Sequence, residues 1–399
     1  MPDPLLLPSI AALTGGSLLV ARNYLKHRLE GSEERYMNMY GKHVWEANNM
    51  DLFIHCAPEH DQTLKARFMA RLAQRLREGG FAARRYQEVA DVSGDALQFV
   101  HKPVTAAAMC APRRGMFFEL SEPGRIRVVW NHMQFDGVGM WNALKPLFDP
   151  NPPIVPYEGA QTPPPFLPEL LSLPRIARRM AWRGKLREDQ TFFKDGVPPA
   201  RGLSVWDAGP LRAARALWNG PFNLLTSALV VSEVFHRHPE RSRLNVGLTA
   251  YFPFLEGRNR YGVFLCKVSR SDVEGVMRQI YKQVRSPLLN WGTTSFQAYA
   301  LGRVPDRVFA RAITSYRRKI DVLISSLPVG KQRITLGGIP TRISCHPIEL
   351  TLPYYFLLVG TRAELHVSYT SRFSQDENFL NFNHLPIPSL DTLDVRVAR

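Results

Sequence analysis

Between residues 150 and 168 the chain places eight prolines. Proline lacks a backbone N–H and fixes φ, so neither a helix interior nor a central strand can run through such a stretch. The segment is a linker or a long crossover, and the chain on either side has to build its own elements. We place the lobe boundary there, with an N-terminal lobe over 31–165 and a C-terminal lobe over 166–399. An apolar segment, 1–30, precedes them. With 399 residues and 45% hydrophobic content, each half can bury a core, and a charged share of 22% is ordinary for a globular chain.

Strands and helices alternate on both sides of the boundary. "DLFIHC" (51–56) reads as a strand, and Asp61 or Thr63 caps a helix with Leu64, Phe68, Leu72 and Leu76 on one face, stopped by Gly79–Gly80. Arg67, Arg71 and Arg75 make a basic stripe on the same helix, read as a solvated face. "GMFFEL" (115–120) and "RIRVVW" (125–130), joined by "SEPG", form a hairpin; a turn and a short helix, "MWNAL", ended by Pro146, come next. In the second half, "FNLLTSALVVSEVF" (222–235) is apolar nearly all round, as a helix buried between layers is. "RLNVGLTAYF" (243–252) alternates as a strand, and Ser271 with Glu274 forms a capping box before a helix. "DVLISSL", "RITLGG", "YYFLLV" and "ELHVSYT" supply further strands, the last two as a hairpin through Gly360. The pattern is that of an α/β protein with two lobes.

The formal charge of +16 favours polyanions: nucleic acid, anionic lipid, an acidic carrier protein or a phosphate-rich cofactor. No nucleic-acid reader motif is present, so a nucleic-acid partner is not expected. Four scattered cysteines, Cys56, Cys110, Cys266 and Cys345, form no CxxC pair, which speaks for a reducing, cytoplasmic compartment over a zinc ribbon or a disulfide scaffold. Residues 4–21 carry no charge. They fit a helix packed on the body of the protein, a membrane-associated segment, or a cleaved signal, although Pro8 and Gly15–Gly16 weaken a span and no positive charge precedes the run. The basic segment "RIARRMAWRGKLR" (175–187) fits a solvated helix packing Met180 and Trp182, or a contact to phosphate or membrane.

Several chemistries drop out. No GxSxG is present, and "LPVGKQ" (327–332) lacks the first glycine and the Ser or Thr of a P-loop. "HCAPEH" (55–60) is one residue too long for HxxEH, and Pro58 prevents the aligning helix, so no metal site is expected. "HRH" (236–238) reads as favourable charge at a helix C-terminus. "WNHMQFDGVGMW" (130–141) remains, with His132 at a strand end and Asp136 beyond a turn. An imidazole there can act as a general base, and Gly137 and Gly139 would let the backbone turn tightly and admit a substrate at close range. A structural histidine beside a turn explains the same pattern.

"NHMQFDG" resembles the HHxxxDG signature of the acyltransferase superfamily that includes nonribosomal-peptide condensation domains, wax ester synthases and chloramphenicol acetyltransferase. Its place about a third of the way along, after a strand, is similar too. "LTAYFPFLEGRNRYGVF" (248–264) is similar to the strand and arginine-containing loop of these enzymes, and "ISSLPVG" (324–330) resembles the "SNVPGP" segment of wax ester synthases. There are departures: Asn131 replaces the first histidine, "SSLP" replaces "SNVP", and the "DFGWG" of the plant branch is absent.

The resemblance implies an α/β fold of two chloramphenicol-acetyltransferase-like lobes forming a V, with a tunnel between them. It implies transfer of an acyl group from an acyl-CoA or a phosphopantetheine-linked carrier thioester to a hydroxyl or amine. His132 would be the base and Asp136 the residue that holds the loop through an ion pair. The Gly137 N–H and the hydroxyl of Ser325 or Ser326 are candidate oxyanion donors, and Asn131 stands where the motif's first histidine would be. No metal or redox cofactor is required. The partners would be the thioester and its acceptor, with an acidic acyl carrier protein as the alternative donor and a lipidic acyl chain or acceptor favoured. Two other readings compete: a free-standing condensation domain joining carrier-bound substrates, and an inactive scaffold or lipid-binding relative, for which Asn131 is the main motive.

Overall fold

The computed structural model describes residues 49–77, 92–93, 96–97, 116–131, 136–151, 166–172, 174–176, 178, 199–218, 221–252, 261–286, 305, 307–308, 311, 318–347 and 352–373. The apolar run 4–21, Cys110, Gly79–Gly80 and most of 150–168 and 175–187 lie outside them. Strand β1 spans Asn49–His55 and helix α1 Asp61–Arg77; β2 (Met116–Glu119) and β3 (Arg125–Asn131) form the expected hairpin, and α2 covers Gly137–Leu144. Then come α3 (Phe166–Leu171), β4 (Ala200–Asp207), α4 (Ala208–Trp218), α5 (Phe222–Arg237), β5 (Arg243–Tyr251) and β6 (Tyr261–Ser269). Helix α6 (Val273–Val284) leads to β7 (Val322–Gly330), β8 (Arg342–Pro347), β9 (Tyr354–Thr361) and β10 (Glu364–Ser371).

Two sheets organise these elements. The first, β8-β1-β3-β2, is antiparallel throughout. The second, β4-β10-β9-β7-β5-β6, is mixed, with β7 parallel to both β5 and β9. Strand β8 comes from the last third of the chain, so the first sheet draws on both sides of the proline-rich stretch.

Side-chain alternation sorts the core into layers. Met50, Leu52 and Ile54 of β1 and Ile126, Val128 and Trp130 of β3 join Leu64, Phe68 and Leu72 of α1 in one core. Met140, Trp141 and Leu144 of α2 enter it, as do Leu327 and Val329 of β7 and Tyr355, Leu357 and Val359 of β9. The opposite face of the second sheet, with Val322, Ile324, Tyr354, Phe356 and Leu358, packs under α4, α5 and α6 in a second core. Helix α5 is buried from Leu224 to Phe235, as its all-round apolar pattern predicts.

Three local expectations change. Asp61 does not cap its own helix: its Oδ1 accepts the Gly124 N–H at 2.9 Å, so the start of α1 holds the hairpin turn, where Gly124 has φ 71°. The N-cap of α6 is Asp272, which accepts from the Gly275 N–H, and not Ser271. "RITLGG" is only a two-residue ladder, Thr335–Leu336 with Ile339–Pro340, because Gly337 and Gly338 take positive φ (60° and 80°) and reverse the chain. Among the described residues, no helix is long and apolar enough to cross a membrane.

Candidate active site

Strand β3 leaves the first sheet at Asn131, paired with Asn49 of β1. His132 is the next residue; it and the three that follow lie outside the described residues. The chain is described again at Asp136, the N-cap of α2, in extended conformation (φ −72°, ψ 174°). Its Oδ1 accepts the Gly139 N–H at 2.6 Å and its carbonyl accepts the Met140 N–H at 2.9 Å. The side chain is buried, 3% exposed, so the carboxylate is spent within the protein. The cap fixes where α2 starts.

Gly137 is the first residue of α2. It does not occupy the left-handed region, so a tight turn is not the reason for a glycine there. A Cβ added to it would meet nothing within 4 Å. At a helix start the first N–H groups have no partner within the helix. The Gly139 N–H is taken by the cap, and those of Gly137 and Val138 have no acceptor within the helix. The buried side of α2, through Met140, Trp141 and Leu144, seats it on the first core, and it packs against β7.

Strand β7 carries Ser325 and Ser326, and alternation separates them. Ser326 shares a face with Val322 and Ile324, toward the helices of the second core. Ser325 shares its face with Leu327 and Val329, the face on which α2 packs. There Thr249 of β5 donates to Ser325 Oγ at 3.0 Å, and the phenol of Tyr355 on β9 also hydrogen-bonds Ser325. Burial pushes the Tyr355 phenol well above its usual range, so it is neutral at any working pH. Three adjacent strands thus place a row of hydroxyls on an otherwise apolar face.

Neither Thr249 nor Tyr355 was visible as a site residue in sequence. Each sits in a run that reads as core, and their meeting depends on two parallel strand pairings. Trp130, two residues before His132, was also unmarked. Its indole N–H is buried in the first core without a hydrogen-bond partner.

The other sequence candidates serve structure. His55 Nε2 meets Ser344 Oγ at 2.8 Å, and Pro58–His60 forms a 3-10 turn. Gly330 ends β7, and Asn151 Oδ1 accepts the N–H groups of Lys331 and Gln332 at 3.0 Å each, so "LPVGKQ" is a pinned strand end. His238 is not simply a terminal charge: it lies against Tyr354, with Nε2 to the phenol and Nδ1 to Glu240, and burial lowers its pKa. The basic stripe of α1 is not wholly solvated either. Arg71 donates to the Leu147 carbonyl (2.8 Å) and to Asp149 Oδ1 (2.6 Å), and Asp149 also accepts from the N–H groups of Gly337 and Gly338. Burial opposes ionisation of Asp149, but the Gly338 N–H and Arg71 hold its pKa down to about 2.

No protein-family model matches the chain, and no curated protein sequence matches it. Among solved structures it is similar to the wax ester synthase/diacylglycerol acyltransferase from Marinobacter aquaeolei VT8, at 11% identity and a TM-score of 0.49, over 87% of this chain and 96% of that one. It is also similar to a mutant starter condensation domain of rhizomide synthetase RzmA in complex with C8-CoA and Leu-SNAC. There the identity is 12% and the TM-score 0.46, over 86% of this chain and 88% of that one. The starter condensation domain of rhizomide synthetase RzmA, in another structure, gives 12% and 0.41, over 83% and 89%. Likenesses of this degree carry neither chemistry nor substrate from one chain to another.

Proposed function

We propose that this chain is an acyltransferase that moves an acyl group from an acyl-CoA or carrier-bound thioester to a hydroxyl or amine acceptor, with His132 as general base. The observation that carries the reading is the seating of the motif. Asp136 is a buried cap, and the helix it starts packs on the strand that carries Ser325. The motif thus ends in a helix that lies on the face where the second sheet offers a hydroxyl. Asp136 holds the loop by capping and is not a proton relay.

In this mechanism His132 takes the proton of the acceptor O–H or N–H as its lone pair attacks the thioester carbonyl. Negative charge gathers on the carbonyl oxygen, where the Ser325 hydroxyl and the Gly137 N–H are the proposed donors. Collapse of the intermediate breaks the C–S bond, and the thiolate leaves with the proton held by the imidazole. The bond formed is an ester or an amide. Ser326 has no part, because it faces the other core.

The two sheets with α2 between them support two thioester-binding walls, and the V-shaped lobes and tunnel belong to the same proposal. The charge of +16 suits the phosphates of CoA or the surface of an acidic carrier equally. Incubation with a panel of acyl-CoAs and acceptors, read by intact mass, should give ester or amide products with free CoA. His132→Ala should reduce their formation by about 100-fold or more. Product only when the acyl group is loaded on a carrier would select the condensation-type version. Undiminished product from His132→Ala would overturn the assignment.

A further inference from the structure

Helices α1, α2, α5 and α6 turn their apolar sides into a core, whereas α3 leaves leucines outside. Two i→i−4 bonds, from the Ser172 N–H to the Pro168 carbonyl (3.1 Å) and from the Ile176 N–H to the Ser172 carbonyl (2.9 Å), keep one helical pitch from α3 on to Ile176. Ser172 and Ile176, one turn apart, are buried and seat this helix on the protein. The side turned away from them carries Leu167 and Leu171, 63% and 73% exposed, and then Arg175 and Arg178, also exposed. At 3.6 residues per turn these four lie within about 80° of one another, so they form a single stripe. Among the described residues the large apolar side chains left exposed are Leu167, Leu171 and Val308, and two of them sit on adjacent turns of this stripe. A lone exposed leucine calls for no account. A leucine pair continued by cations has the make-up of a surface that meets an apolar layer edged with anions.

From this we infer that the stripe through Leu167 and Leu171 docks the protein on the surface of an anionic lipid bilayer. The leucines enter the boundary between headgroups and acyl chains, and Arg175 and Arg178, further along the stripe, meet lipid phosphates. The sequence extends the charge, since 175–187 holds six cations and no acid. Each cation held near such a surface adds attraction, and the net charge of +16 acts in the same direction at longer range. An acidic protein would answer the same charges. It would also need an interface of about 1,000 Å² or more, with pockets for its anchors. Two leucines standing out from a helix offer no pocket, and a fluid layer closes around them without one. Such a contact lies on the bilayer and requires no spanning helix. The inference stands apart from the acyl-transfer reading: it concerns where the chain is held, and it is read by binding and not by turnover.

The test is flotation of the full chain with vesicles of phosphatidylcholine alone and of phosphatidylcholine carrying about 30% phosphatidylglycerol. Wild type should float with the anionic vesicles and stay largely unbound with the neutral ones. Leu167→Ser with Leu171→Ser and, separately, Arg175→Glu with Arg178→Glu should each weaken binding about 10-fold or more. All four side chains are exposed, so melting temperatures should match wild type. Leu171→Trp keeps the stripe apolar and should bind at least as tightly, with the emission of its added indole shifting to the blue on anionic vesicles. Wild type that fails to float with anionic vesicles would overturn the inference, and so would an unshifted emission from Leu171→Trp. Undiminished binding by the leucine-pair variant would overturn it as well, because the contact would then lie elsewhere, as in residues 4–21. Capture of an acidic acyl carrier protein that the leucine-pair variant loses, with no vesicle binding by wild type, would assign the stripe to a protein instead.

Discussion

At the level of single residues, Asp136 and Gly137 separate folding from chemistry. Asp136→Ala removes the cap and should cost about 0.5–2 kcal/mol, whereas Asp136→Asn keeps a capping oxygen and should cost little. Denaturant titration reads the difference. If the loop is held by capping, Asp136→Asn should also retain most activity. Gly137→Ala is the converse case. The added methyl meets nothing within 4 Å and the position is helical, so stability should hold or rise by up to about 1 kcal/mol. Acyl transfer should nevertheless fall, because the space beside the Gly137 N–H is where the substrate oxygen is proposed to lie. A Gly137→Ala variant with unchanged melting temperature and unchanged kcat/KM would remove that space from the site.

Among the elements, strand β8 shows best what a sequence reading can and cannot reach. The strand before Asp136 and the short helix after it were legible because their signals are local, a strand-like run and then glycines before an apolar segment, whereas the capping role of Asp136 was not read. Strand β8 was not, because "RISCHP" is short and its polar positions are buried by distant partners. The edge that β8 does not share with β1 is closed by side chains of β10. His366 Nδ1 accepts the Ile343 N–H, Ser368 Oγ accepts the Cys345 N–H, and His346 Nδ1 meets Thr370 Oγ1 at 3.0 Å. An Nδ1 that accepts an N–H carries no proton, so His366 is neutral in this joint. Burial likewise lowers His55 to about 4 and His346 to about 3. The unfolded chain therefore binds these protons first, near pH 6.5, and the folded chain only below about pH 4. Stability should be complete above pH 7 and decline as pH falls from about 6.5 to 3. Melting temperatures across that range test this, and a flat profile would contradict the neutral joint.

For the whole molecule, the tie between the sheets is an ion network that sequence could not place. Asp51, fully buried on β1, accepts from Arg127 Nε of β3 and from Arg201 Nη1 of β4, each at 2.9 Å. Arg127 also donates to buried Glu119 at 2.9 Å, and Arg201 Nη2 to the Pro347 carbonyl at 3.1 Å. The network spans all four strands of the first sheet and the edge of the second. Asp51→Ala would leave Arg127 with half its compensation and should cost about 3–5 kcal/mol by chemical denaturation. A cost below about 1 kcal/mol would show the charges to be better solvated than their burial indicates. The proline-rich stretch predicts only that the chain on either side builds its own elements. It carried no information on how they join, because that is decided by β8, Arg201 and the row through Ser325, each reaching across the chain. The account as a whole stands on His132 acting as base at the end of β3. The most direct measurement is the rate of thiol release from an acyl-CoA, with and without acceptor, for wild type and His132→Ala. The prediction is acceptor-dependent release in wild type and a loss of about 100-fold or more in the variant; acceptor-dependent release at the wild-type rate from His132→Ala would contradict it.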